Sequence, residues 1–451
     1  MYMFARVTLL LVLAAAMPAW SQVEPSATGG ATPTLDDTQM MTPPPVSGMP
    51  YPNFTGTETR SNYLDGSLNV NAAYSDNVAP GIAAQAVSDE IYWILPSVTL
   101  SKSTPRQKVT LGYSPSFSFY QHTSALNTVD QSASFVFQDR LSPHLSISLQ
   151  DYFLRTSDVF DQSYPFAGGN LTGVAQAPVP ALIVPFVEQM SDTANGSIDY
   201  QFGRNSMVGG GGSYSTFSFP NPTAAGNLSN SDGEGGSAFY SRRLSGMQYT
   251  GLSYVYFRDV ITDAQYAPFE TQLHTLLPFY TIYFNPKLSL SIAGGVQRVG
   301  VAQLYTVQAF SSWSPAGTVS IGWQGNRGYF ALSYLHSVIA GEGFNEALYS
   351  DSESASGGWK LTRTWNAAFE VSYVNSSPVT QLVNVLYGYE GGDAFTLGAS
   401  LKHAMGEHFS AACGYDRLQE NYPGIPFIAR NPVSDRESVT ITYEFRKPLG
   451  E

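Results

Sequence analysis

The sequence predicts an all-β chain: a single closed antiparallel transmembrane β-barrel of about 18 strands, with 16 as the alternative count. Three observations carry that prediction. Apolar and polar residues alternate with period two over most of the chain. Short polar turns alternate with long connections. The composition is aromatic and poor in charge, with 13% aromatic and 13% charged residues, about half the usual share of charge.

The chain has 451 residues and 43% hydrophobic residues, including 28 Tyr and 26 Phe, so a wholly disordered chain is excluded. After residue 19 no apolar run approaches the roughly 20 residues of a spanning helix. The net charge of −13 argues against nucleic acid as a partner, because phosphate recognition needs clustered Lys and Arg. A single Cys excludes an internal disulfide framework and any multi-Cys metal site.

The N-terminus comes first. Arg6 precedes an apolar run from Val7 to Met17, followed by Pro18, Ala19, Trp20 and Ser21. This is the pattern of a secretory signal peptide over residues 1–21, cleaved after Ser21. Residues 22–64 are rich in Pro, Thr, Ser and Gly without a hydrophobic period, and read as a disordered periplasmic tether. The barrel is assigned to residues 65–451.

The strands follow. Between Gln107 and Phe119, Val109, Leu111, Tyr113, Phe117 and Phe119 take odd positions, and Lys108, Thr110, Gly112, Ser114, Ser116 and Ser118 take even ones. Alternation places the two sets on opposite faces of a strand. The pattern recurs at Leu145–Gln150, Trp365–Tyr373, Phe395–Lys402 and Ser438–Phe445. Segments of about ten alternating residues fit a membrane barrel, although a soluble sandwich alternates too.

The connections separate the two. Short turns lie near 101–108, 138–144, 202–206, 241–246, 284–287, 323–328, 360–364 and 402–408. Long connections lie near 76–90, 120–130, 156–192, 220–235, 259–270, 299–314, 340–353, 375–393 and 419–437. With one strand before the first long connection (Leu68 to Tyr74) and one after the last (Val439 to Phe445), the count is eighteen and both ends fall on the short-turn side. Outer-membrane barrels have this asymmetry and an even strand number. Gln381–Tyr389 also alternates and reads as a hairpin extension above the membrane. Tyr113, Tyr254, Tyr283, Tyr334, Trp365 and Tyr443 are candidates for the aromatic girdles at the two interfaces.

Charge is sorted along the barrel axis. Of 22 Lys and Arg, 14 lie in or beside short turns or after the last strand, whereas 22 of 35 Asp and Glu lie in the long connections. The 340–353 connection carries Glu342, Glu346, Asp351 and Glu353 with no base. An acidic outer mouth concentrates cations and repels anions, and it also bridges divalent ions at an anionic lipid surface. Asp199, Glu370, Asp416 and Glu444 fall on the inward parity, and Arg155, Arg258, Arg298 and Arg417 sit near the outer strand ends. These eight are the candidates for lumen charge and ion preference. The other inward positions are mostly Ser, Thr, Gly, Asn and Gln, which suits hydrophilic solutes.

No enzyme, cofactor or metal site is predicted. Residues 209–212 (GGGG) lack the Lys and Ser/Thr of a phosphate-binding loop and instead suit a close approach of another group. His403 and His408 flank one turn without further ligands, and no nucleophile motif surrounds His144, His274 or His336. Cys413 shares the parity of Phe409, Ala411 and Tyr415 and reads as lipid-facing.

The phrases LNVNAAYSDNV (68–78), LGYSPSFSFY (111–120) and DRLSPHLSISLQDYF (139–153), with Pro96, Val98 and Leu100 between them, resemble a family of β-barrel porins encoded beside bacterial exopolysaccharide genes. In that family the Tyr74-x-Asp76-Asn77 phrase ends the first strand. The resemblance implies an outer-membrane barrel without catalytic residues. The expected function is an outer-membrane channel for passive passage or export of hydrophilic solutes or exopolysaccharide, with a general small-solute porin and a non-conducting structural or adhesion barrel as alternatives. The implied partners are outer-membrane lipid and lipopolysaccharide, the barrel-insertion machinery, and exopolysaccharide or its export system. Phe445 is followed by RKPLGE instead of ending the chain, so an insertion signal must be internal or the last strand must be shifted.

Overall fold

In the computed structural model, the described residues are 61–79, 86–104, 106–158, 160, 188–220, 229–262, 268–285, 287–303, 309–340, 347–379, 391–421 and 433–449. The expected leader, most of the expected tether, Glu342, Glu346 and the expected hairpin at 381–389 lie outside them.

The strands are β1 (Ser61–Ser75), β2 (Asp89–Ser103), β3 (Gln107–Tyr120), β4 (Thr128–Ser142), β5 (Leu145–Thr156) and β6 (Gln189–Gln201). Then come β7 (Ser206–Ser218), β8 (Asn230–Ser245), β9 (Gln248–Thr262), β10 (Phe269–Asn285), β11 (Leu288–Gln303) and β12 (Ala309–Gln324). The last third holds β13 (Gly328–Ile339), β14 (Leu348–Lys360), β15 (Trp365–Pro378), β16 (Gly392–Ala404), β17 (Phe409–Asn421) and β18 (Val433–Pro448). Each strand pairs antiparallel with its sequence neighbours, and β1 pairs with β18, so the 18-stranded sheet closes on itself. Closure leaves no free edge strand, which is what lets a sheet stand in hydrocarbon with its backbone groups satisfied.

All eight short turns fall where the alternation predicts. The long connections are shorter than predicted. Between β11 and β12 only residues 304–308 remain, and Asp351 and Glu353 lie inside β14 instead of in a loop. The reason is physical. A strand spans the bilayer in about 9–11 residues, whereas these run from 12 to 17. The surplus projects beyond the apolar belt on the long-loop side. There the outward positions become Glu234, Arg258, Glu270, Asp351, Glu353, Asp435 and Glu437, so alternation of hydrophobicity disappears while pairing continues. At the two chain ends, β1 starts at Ser61, four residues before the predicted barrel boundary, and β18 runs three residues past Phe445.

The register fixes which residues share a face. Val70, Ile94, Phe117, Val129 and Ile441 are joined through successive pairs and are all exposed: this is the outer surface. Toward the short turns it carries an aromatic girdle. Trp323 stacks on Trp359 at 5.7 Å between centroids, and Trp365 stacks on His403 at 4.3 Å. Tyr113, Tyr254, Tyr334 and Tyr443 share this face. Tyr283 does not. It sits on the inner parity and packs against Met207, Phe239 and Tyr249.

Candidate functional site

The inner wall is predominantly Ser, Thr and Asn over the half formed by β1–β5 and β15–β18. Ser67 meets Ser97 at 2.6 Å, Thr442 donates to Asn69 at 2.6 Å, and Asn71 donates to Thr440 at 2.9 Å. Toward the outer mouth this hydration-friendly surface gives way to a compact cluster. Ala73, Ile91, Trp93 and Tyr120 from β1–β3 pack with Val78, which follows β1. Asp89 closes the group: its carboxylate accepts the backbone N–H of His122 (3.0 Å) and Thr123 (2.8 Å), turning the chain after β3 toward the bore.

The charged centre of the cluster is Arg436. It lies on the inner face of β18, paired with Ser75 on one side and Asp416 on the other. Its Nη1 donates to Asp158 at 2.6 Å, and its Nε stands 3.5 Å from Asp416. The guanidinium is 5.2 Å from the Trp93 ring centroid and 4.2 Å from that of Phe160. The cation therefore meets two aromatic π-clouds and two carboxylates, company that suits a planar guanidinium.

Asp158 and Phe160 do not belong to a neighbouring strand. They follow β5, which is separated from β18 by β1–β4. Asp130 on β4 sends them inward: its Oδ1 accepts the Ser157 N–H (3.2 Å) and hydroxyl (3.3 Å). Phe160 then packs on the buried Leu418. Asp158 and Phe160 thus leave the wall at the end of β5 and meet inner-face side chains of β17 and β18. The Arg436 and Asp158 side chains are only 12% and 10% exposed, so their ion pair is screened far less than a surface pair.

The eight charged residues picked from the sequence are not one constellation. Asp199, Glu370, Asp416 and Glu444 have the inner parity but stand on β6, β15, β17 and β18 at different heights. Asp416 joins the Arg436 cluster, and Glu444 pairs with Lys402 at 3.2 Å near the short turns. Arg155, Arg258, Arg298 and Arg417 face outward, which corrects their placement in the lumen. The register puts them on the parity of the apolar belt, above it. There Arg258 bridges Glu234 (2.8 Å) and Glu270 (3.0 Å), Arg417 pairs with Asp435 (3.1 Å), Arg155 with Glu188, and Arg298 reaches Ser311 (3.4 Å). Asp351 and Glu353 share this outer face, Asp351 accepting from Tyr334 (2.6 Å) and facing His336 (2.8 Å).

Arg436, Asp158, Asp130 and Trp93 were missed. For Arg436 a signal exists: continuing the inward parity of Glu444, Thr442, Thr440 and Ser438 two residues further reaches it. Nothing in the spacing announces Asp158, because its partner is 278 residues away. His403 and His408 do not converge; His403 stacks on Trp365, and His408 Nδ1 lies 2.9 Å from the Glu444 carbonyl. Among the described residues no group of three or more His, Cys, Asp or Glu could hold a metal ion.

No family model matches the chain, and no curated protein matches it. Among solved structures it is similar to OpdK of Pseudomonas aeruginosa, solved with vanillate (10% identity, 85% of this chain and 99% of that one, TM-score 0.39). It is also similar to OprD of the same organism (12% identity, 86% and 96%, TM-score 0.40) and to a bacterial polysaccharide outer-membrane secretin (10% identity, 84% and 98%, TM-score 0.33). At such identities and scores the matches add nothing to what the strand pairing establishes by itself.

Proposed function

We propose that this protein is an outer-membrane channel that passes small hydrophilic solutes passively across the envelope of a diderm bacterium. The observation that carries the reading is the contact of Asp158 and Phe160, which follow β5, with Arg436 on the inner face of β18, five strands away around the wall. An eyelet of this kind leaves the barrel wide where its wall is polar and narrow where a cation, two carboxylates and two rings converge. Rings of opposed charge at a constriction select among solutes by charge and orientation. The closed sheet and the apolar outer belt support residence in a bilayer. An acidic surplus at the outer strand ends, including Asp351, Glu353, Asp435 and Glu437, supports contact with lipopolysaccharide through bridging divalent ions.

Reconstitution of the mature chain in planar bilayers tests the reading. Discrete conductance steps are expected; their absence from folded, inserted protein would eliminate the channel and favour a structural or adhesion role. Export of an exopolysaccharide is the second reading, favoured by the phrases at 68–78, 111–120 and 139–153. Deleting the gene separates the two: lost surface glycan supports export, whereas normal glycan with slowed sugar or antibiotic uptake supports diffusion.

A further inference from the structure

The outer wall carries an arginine that its own chain leaves unneutralised. Arg155, Arg258, Arg298 and Arg417 stand on the outer face above the apolar belt. Arg155, Arg258 and Arg417 each pair with a carboxylate. Among the described residues Arg298 pairs with none, and its Nε donates only to the Ser311 hydroxyl, at 3.4 Å. Strands β10, β11 and β12 hold a single acidic residue, Glu270. Arg258 already engages that carboxylate through two bonds, at 3.0 and 3.1 Å.

The surroundings of Arg298 are those of a boundary between lipid chains and headgroups. Direct pairing sets Tyr256, His274, Arg298 and Trp313 in one row across β9–β12. Below Arg298 the outward residues of β11, including Leu290, Ile292 and Val296, carry no charge. Trp313 stands ten residues along β12 from Trp323 of the lower girdle. Ten residues of a strand tilted about 40° rise about 25 Å, the height of a barrel's apolar band. Trp313 is 70% exposed, more than any other large hydrophobic side chain among the described residues. The row therefore marks the second interface, at the level where lipid headgroups begin.

Above Arg298 the surface has a notch. Gly300 is the next outward residue of β11, between Gln272 and Ser311. A Cβ there would meet nothing nearer than 3.9 Å, so the fold has room for a side chain that the glycine leaves out. Beside it, His274 Nδ1 lies 2.8 Å from the Tyr254 hydroxyl, and Nε2 has no partner among the described residues. A guanidinium, a hydroxyl and an imidazole thus gather where the chain supplies no anion, and phosphate oxygens would satisfy all of them. We propose that Arg298, with Ser311, His274 and Trp313 around it, binds the phosphorylated headgroup of an outer-leaflet lipid. The contact is direct, in contrast to the divalent-bridged contact of the acidic strand ends. It shares with the channel reading only the lipid-facing wall.

Lipid binding in EDTA tests it. Folded barrels, checked by heat-modifiable gel mobility, are titrated in detergent with purified lipid A, intact or dephosphorylated, and bound lipid is counted by native mass spectrometry. Intact lipid A should bind about tenfold more tightly to the native barrel than to Arg298→Ala. Dephosphorylated lipid A should not distinguish the two. Gly300→Leu fills the notch while keeping every charge and should also weaken binding. Arg417→Ala, at an arginine already paired with Asp435, should not. Native affinity in either Arg298→Ala or Gly300→Leu would overturn the site, as would an equal loss in Arg417→Ala. Binding that requires divalent cations would overturn the direct contact. Displacement by millimolar inorganic phosphate would make the ligand a soluble anion and overturn the lipid assignment. Conductance is not read here, so failure of the lipid site leaves the channel reading standing.

Discussion

Phe239 on β8 lies flat over Gly209, its directly paired neighbour on β7, so that a Cβ at Gly209 would collide with the Phe239 ring. The arrangement repeats on the next two strands: Phe257 covers Gly235 and Phe279 covers Gly251, each pair again in direct register. A ring laid over a strand glycine shields the bare backbone there and fixes register between adjacent strands. The Gly run at 209–212, conspicuous in the sequence, is thereby explained at its first residue by packing.

These glycines are not equivalent. At Gly209 the obstructing atoms belong to side chains, Phe239 and Asp199, which can rotate away. At Gly251 they include the backbone carbonyl of Tyr240, which cannot. Gly251→Ala is therefore expected to destabilise the barrel by about 1–3 kcal/mol, the range for overpacking, and Gly209→Ala by less. Urea unfolding midpoints in detergent micelles would check the order; equal losses would show that ring displacement is as costly as backbone displacement.

Arg436 supplies the cation of the eyelet, facing Asp158 and Asp416. Arg436→Ala leaves those carboxylates uncompensated and frees Asp158 and Phe160 from β18. Both conductance and cation preference should rise, read from the reversal potential in a salt gradient. Asp158→Asn should shift the reversal potential the other way. Arg436→Lys is expected to behave closer to Ala than to the native residue, since an ammonium cannot lie as a planar ion against Trp93 and Phe160 while reaching two carboxylates.

On the outer face Arg258 bridges a well-covered carboxylate and an open one: the side chain of Glu270 is 12% exposed and that of Glu234 57%. Solvent screens the second bond more than the first. Glu270→Gln should therefore cost more stability than Glu234→Gln, whose loss should stay below about 1 kcal/mol. The Glu234 effect should shrink in high salt, and the Glu270 effect less so.

The strands were legible because the bilayer imposes a solvent contrast on each of them. Leu111 against Thr110 and Ile441 against Thr442 reveal period two without any partner in view. The strand ends were not legible, because above the belt Glu234, Arg258 and Glu270 replace the apolar residues on the outer parity and remove the contrast. The same effect placed Arg155, Arg258, Arg298 and Arg417 in the lumen: a charge on a barrel strand reads as inward only while the outside is hydrocarbon. The eyelet was hidden for a different reason. Asp158 meets Arg436 through closure of the whole sheet, and closure leaves no trace in local spacing.

Neighbouring positions on β3 put the sidedness of the wall to a direct test. Leu111 is 51% exposed on the outer face, paired with Leu100 and Phe135; Thr110 stands on the inner face, paired with Ser101 and Val136. Leu111→Arg places a guanidinium in the apolar belt, which costs about 2–4 kcal/mol near the midplane and falls toward the interfaces. Thr110→Arg places the same group in a polar bore, where water solvates it. The first variant should fold poorly into vesicles, with a reduced heat-modifiable band. The second should fold normally and lower cation selectivity by adding positive charge to the lumen. If both variants folded alike, or if Thr110→Arg were the one that failed, the outer face would not be meeting lipid and the barrel would be a soluble one. Because the two residues are adjacent in sequence and nearly level along the axis, the comparison holds strand, height and introduced group constant while changing the face.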